Sequence, residues 1–181
     1  MPRYVAFLRA INVGGHNVAM AALRAEFEAL EFSRVETFIA SGNVIFETRS
    51  AAPAALERKI ETRLARTLGY EVATFLRTDA EVAEISRWKA FGAAQMAAAN
   101  AFNVGFLKAP LGKLARERVA AFETDIDAFR VRGRELFWLC RTKQSESSFS
   151  NAVLERSLGI RASFRGMNTV AKLAAGYPPR S

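Results

Sequence analysis

Apolar and polar positions along this chain follow two periods, and the switches between the periods outline its elements. Arg3–Ile11 (RYVAFLRAI) is an apolar run of strand character. After it, Leu23, Phe27 and Leu30 return at helical spacing, which predicts a helix over Ala19–Leu30. Strands follow at Val35–Ala40 and Val44–Thr48, joined by a Ser41-Gly42-Asn43 hairpin turn. Pro53 suits the first position of a helix in which Leu56, Ile60, Leu64 and Leu68 recur every fourth residue, and Gly69 ends it. Val72–Arg77 reads as a strand. Asp79 then caps a short helix with Val82, Ile85 and Trp88 on one face.

The second half repeats this order. Phe102–Leu107 is a strand, and Leu111–Phe122 a helix with Leu114 and Val119 facing in. Ala128–Arg132 and Leu136–Arg141 are strands joined by Gly133-Arg134-Glu135. Ser145–Leu158 is a helix ended by Gly159, Arg161–Phe164 a strand, and Asn168–Ala175 a last helix. The fold class is therefore α+β: two ferredoxin-like βαββαβ halves, a duplicated split βαβ arrangement with antiparallel sheets and helices on one face. The expected halves are residues 1–90 and 101–181, connected by the alanine-rich, aperiodic segment 89–101. In such a fold strands one and two run parallel with strand three between them. The loop after strand one and the strand two–three hairpin then lie at one end of the sheet.

Composition narrows the class. The chain has 181 residues, half of them apolar and 24 % charged, enough for a sizeable core and against disorder. No run is long enough to cross a bilayer, and no secretory signal is visible, so a cytoplasmic setting is expected. The lone Cys140 can neither staple the fold nor build a metal site. The net charge is +8, with about +1 in residues 1–90 and +7 in residues 91–181. The basic C-terminal half suggests an anionic small molecule or nucleic acid as partner, and no membrane.

The candidate chemistry sits in the loops. Asn12-Val13-Gly14-Gly15-His16-Asn17 is expected to meet Ser41-Gly42-Asn43. Alternation puts Arg9 on a face with Val5, Phe7 and Ile11, where its charge needs a partner. That partner is a carboxylate such as Glu36 or Glu47, or a ligand anion. The glycines either form a plain turn or open their N–H groups to an anion. His16 is a general base or a surface side chain. In the second half, Lys143 and the hydroxyls after it are expected to meet Arg165-Gly166-Met167-Asn168-Thr169, with Ser145 or Ser147 and Asn168 capping helices. Arg130, Arg132 and Arg134 stand beside Phe137 and Trp138, but without the alternating pattern of an RNA-binding sheet.

LRAINVGGHN, the Met20-x-x-Leu23 helix and the run FIASGNVIFE resemble the bacterial domain-of-unknown-function family number 1697. The resemblance implies two ferredoxin-like halves and no assigned activity. Arg9, Asn12, Gly14, Gly15, Ser41, Gly42 and Asn43 match its opening motif, and Arg165, Asn168 and Thr169 its closing one. Ala10 stands where the family usually has glycine, and Gly166 and Met167 replace the usual Asn and Trp.

The candidate ligand-binding set is Arg9, Asn12, Gly14, Gly15, Ser41, Asn43, Lys143, Arg165, Asn168 and Thr169. Donors dominate it, with no acid–base pair, no metal constellation and no cofactor fingerprint. This favours a binding module for a phosphate-bearing or other anionic ligand, nucleotide or nucleic acid, over catalysis. The alternatives are an enzyme on a nucleotide-like or acyl substrate working through Ser41 or His16, and motifs that are purely structural in a protein-interaction role.

Overall fold

The computed structural model describes residues 1–11, 15–39 and 42–180. The chain divides into two compact units, Met1–Ile85 with Lys172–Ser181, and Ser86–Ala171.

The first unit runs β1 (Arg3–Leu8), α1 (Met20–Glu28), β2 (Ser33–Thr37), β3 (Asn43–Glu47), α2 (Pro53–Leu68) and β4 (Thr74–Thr78). Its sheet has the order β2-β3-β1-β4. β3 is antiparallel to both β1 and β2, so β1 and β2 run parallel. Tyr4, Ala6, Leu8, Val44 and Phe46 form a core with Leu23 and Phe27 of α1 and Leu56, Ile60 and Leu64 of α2. The alternate positions Val5, Phe7, Ile45 and Phe75 are buried too. Gly69, at φ 82°, ends α2 as its sequence implies.

Two local expectations change. β1 stops at Leu8 rather than Ile11, because Ala10 turns to φ 54° and ends the alternation before it reaches Arg9. The helix α3 (Asp79–Arg87) is capped by Thr78, not Asp79. Thr78 Oγ1 accepts from Glu81 N at 3.1 Å, and Glu81 Oε2 accepts from Thr78 N at 2.8 Å, a reciprocal capping box written in the sequence as T-D-A-E. Asp79 instead pairs with Arg3 at 3.2 Å.

The second unit contains α4 (Ala93–Ala98), β5 (Ala101–Phe106), α5 (Lys113–Ala120), β6 (Asp127–Arg132), β7 (Glu135–Cys140), α6 (Asn151–Leu158), β8 (Ser163–Gly166) and the start of α7 (Met167–Gly176). The sheet order β6-β7-β5-β8 repeats that of the first unit, all neighbours antiparallel. The core gathers Phe129, Leu136, Trp138 and Phe149 under Val119 and Leu154. The Phe164 ring lies so close over Gly105 that a Cβ there would sit 2.6 Å from it. Asp127, 2 % exposed, accepts from Trp138 Nε1 at 2.9 Å, Ser147 Oγ at 2.8 Å and Thr124 Oγ1 at 3.1 Å.

That carboxylate explains why α6 starts late. Ser147 is engaged with Asp127, and Ser150 supplies the cap instead, accepting from Val153 N at 3.2 Å. Gln144–Glu146 form only a short 3-10 turn. Leu114, expected to face in, is 73 % exposed. Asn168 is no cap, because α7 begins at Met167 directly from β8.

The closing residues belong to the first unit. The Tyr177 hydroxyl lies 2.5 Å from Glu36 Oε2, Arg180 pairs with the buried Glu47, and Arg3 donates to the Pro178 carbonyl. Burial, with the Glu36 carboxylate beside it, pushes the Tyr177 hydroxyl up to about 12, and the Arg180 hydrogen bond holds Glu47 below the usual carboxylate range. Among the described residues no helix is long and apolar enough to cross a membrane.

Candidate functional site

The end of β1 does meet the β2–β3 hairpin. Leu8 N donates to Gly42 O at 2.9 Å, and Arg9 N donates to Ala73 O at 2.9 Å, tying this end of the strand to both neighbours. Gly42 has φ 82°, and a Cβ there would lie 2.6 Å from Ile11 Cγ2 and 3.2 Å from Leu8 Cβ. Asn43 is fully buried. Its Nδ2 donates to Phe38 O at 2.9 Å, while Phe38 N donates to Asn43 O at 3.0 Å. The Asn43 side chain thus closes the hairpin from inside. Arg9 is half-buried at the junction. Gly15 is exposed at φ 86°. His16 is exposed and stacks on Tyr70 at 3.7 Å, and the Tyr70 hydroxyl donates to Ile11 O at 3.1 Å. Burial pushes the Tyr70 hydroxyl up. Asn12, Gly14 and Ser41 lie outside the described residues.

The junction is backed by strained chain. Ala10 (φ 54°) and the β-branched Ile39 (φ 56°) both take left-handed conformations. Such positions cost about 1–2 kcal/mol and persist only where the surroundings enforce them. Ala10→Gly should therefore raise the stability of the protein by about 0.5–1 kcal/mol, read from urea midpoints at unchanged slope. A loss of stability would show that the left-handed turn is not strained.

In the second unit the strand ends meet as topology requires. Cys140 of β7 and Gly166 of β8 pair with Ala101 and Asn103 at the start of β5. The side chains there take different roles. Lys143 is exposed ahead of the 3-10 turn. Arg165 is 9 % exposed and donates to Ser163 Oγ at 2.9 Å and Phe164 O at 2.8 Å, its guanidinium brought down to about 10 by burial. Asn168 is exposed on the first turn of α7, and Thr169 beside it is half-buried. Phe137 and Trp138 are buried, so they offer no stacking surface. Arg130 and Arg132 lie over the rings of Phe91 and Trp88 at 5.2 and 5.0 Å. No group of three or more metal-ligating side chains occurs among the described residues.

These two antiparallel sheets, each faced by helices in the same order, make the protein a duplicated ferredoxin-like α+β protein. The family model "Protein of unknown function (DUF1697)" matches residues 1–137, and the chain belongs to that family. The solved structure of the conserved bacterial protein SP0830 from Streptococcus pneumoniae is similar in fold, with TM-score 0.76 at 24 % identity over 96 % of this chain and 97 % of that one. No curated protein matches.

Proposed function

We propose that the protein is a binding module for a phosphate-bearing or other anionic ligand, held where the end of β1 meets the β2–β3 hairpin. Arg9 supplies the charge. The segment from Asn12 through Gly14 to Gly15, with Ser41 and Asn43 of the hairpin, supplies the frame and its N–H groups. The observation that supports this reading is that two of the four left-handed non-glycine residues among those described, Ala10 and Ile39, flank the junction, one on each side. Strain of this kind collects where backbone is pre-set for a ligand. The donor-rich, acid-poor character of the motif points the same way.

A thermal-shift titration with inorganic phosphate, nucleotides and phosphosugars tests it. A ligand present at 100 times its Kd stabilises by about 2.7 kcal/mol. Arg9→Ala should remove that shift while changing the ligand-free melting temperature by only about 2 °C. A variant that melts several degrees lower with no ligand-dependent difference would make Arg9 a structural tie, and absence of any shift in the parent protein would sink the reading.

A further inference from the structure

Positive charge in the second unit is sorted to one end of its sheet. Lys108 follows β5, Arg132 closes β6, Arg134 sits in the β6–β7 turn and Arg161 precedes β8. The pairings Phe106↔Glu135, Phe106↔Ser163 and Arg132↔Glu135 bring all four to the same end. Lys113 opens α5, which leads out of β5, and Arg156 lies in the last turn of α6, which leads into β8. Five of these six cations are exposed, and Arg134 is half-buried. The carboxylates in the same stretches are Glu135 and the buried Glu155, whose Oε2 accepts from Ala162 N at 2.9 Å. At the other end, segments 121–126 and 141–150 carry Arg141 and Lys143 against Glu123, Asp125 and Glu146.

Topology sets the cations in a row. The sheet order β6-β7-β5-β8 places Arg132, Arg134, Lys108 and Arg161 on successive strand ends. Neighbouring strands lie about 4.8 Å apart, so the row runs for about 15 Å. The Arg132 guanidinium lies 5.0 Å from the Trp88 ring centroid, which holds it in place before any partner arrives.

The fold does not require this charge. Phe7-Leu8-Arg9-Ala10 and Phe106-Leu107-Lys108-Ala109 occupy matching places in the two units. Leu8 N donates to Gly42 O at 2.9 Å, and Leu107 N donates to Arg134 O at 2.9 Å. Arg134 thus stands where the first unit has a glycine, and the first unit's turn sequence, Phe38 to Gly42, carries no charge.

The row is cationic without being aromatic. Phe106, Phe137 and Trp138 are buried, and Trp88 is half-buried under Arg132. Single strands are held largely by stacking their bases on exposed rings, and among the described residues this end presents none. A duplex turns its phosphates outward and meets a row of cations without stacking. At about 3.4 Å per nucleotide, the row spans about four phosphates of one strand.

We propose that this end of the second unit binds the phosphate backbone of a nucleic-acid duplex, without regard to its sequence. DNA and RNA duplexes share that chemistry. The surface lies in the other unit from the junction described above and uses none of its residues.

Fluorescence anisotropy of the full chain with a labelled DNA duplex of about 20 base pairs, the matching RNA duplex and the single DNA strand tests this. At about 50 mM salt at least one duplex should bind with a micromolar Kd, about tenfold or more tighter than the single strand. The tighter of the two duplexes identifies the source of the backbone. The logarithm of the affinity should fall against the logarithm of salt with a slope of about −4. Lys108→Gln and Arg161→Gln, on separate exposed connections, should each weaken duplex binding about fivefold or more and reduce that slope by about 1. Arg141→Gln and Lys89→Gln remove equal charge outside the row and should leave affinity within about twofold.

No duplex binding at about 100 µM protein and about 50 mM salt would overturn the proposal. So would a single strand bound as tightly as either duplex, or losses in Arg141→Gln equal to those in Lys108→Gln. The junction reading is judged by the phosphate-dependent melting shift and its loss in Arg9→Ala, so the two ideas fail on separate measurements.

Discussion

Alanine at Gly42 should cost the protein about 2–5 kcal/mol. Two separate penalties add there. At φ 82° an L-residue pays about 1–2 kcal/mol for the left-handed backbone. The new methyl must also displace Ile11 Cγ2 and Leu8 Cβ, which sit 2.6 and 3.2 Å from its ideal position. Overpacking of this kind costs about 1–3 kcal/mol. Neither neighbour can swing away easily, because both are core residues exposed by 2 % or less. Urea unfolding followed by circular dichroism measures the loss. A change below about 1 kcal/mol would mean that the hairpin does not rest on the strand end as described. On the binding role proposed above, the same variant should also weaken the anion-dependent melting shift.

Asp127→Ala should be more damaging still, by about 3–5 kcal/mol. The carboxylate accepts from an indole N–H and two hydroxyls inside the second unit. Its removal strands the buried Trp138 donor and frees Ser147, whose hydroxyl also accepts from Phe149 N at 3.0 Å. The turn between β7 and α6 thus loses its anchor along with the core. The tryptophan emission should shift to the red as Trp138 meets water. Asp127→Asn keeps an oxygen for the indole and should cost about half as much. Equal stability of the alanine and parent proteins would contradict the buried network.

The order of elements was legible because the apolar period and the turn residues agree. Pro53 and Gly69 bound α2, and Gly133 with Arg134 bounds the β6–β7 hairpin. The errors fall where a distant contact decides a local choice. Several serines precede α6, and nothing local says that Asp127 takes Ser147 and leaves Ser150 to cap. Leu114 has the right spacing to face in, yet it lies on an exposed side of α5. Ala10 is not itself a turn-forming residue, yet it takes φ 54° at a position where the resembled family usually has glycine.

Of the candidate site, the meeting of the β1 end with the hairpin followed from topology alone. A cavity in the second unit, walled by Trp88 and Phe102, did not. It is built largely by a linking segment with no period.

The grouping of the chain's last residues with its first unit has a consequence for synthesis. As the polypeptide leaves the ribosome, the second unit is complete once Ala171 has emerged, since it is one continuous stretch. The first unit is translated earlier, yet it must wait for Tyr177 to reach Glu36 and for Arg180 to join Arg34 at Glu47. What is made first is finished last: until Tyr177 and Arg180 emerge, Glu36 on the edge strand β2 lacks its hydroxyl partner and Glu47 on β3 has only Arg34, at 3.9 Å.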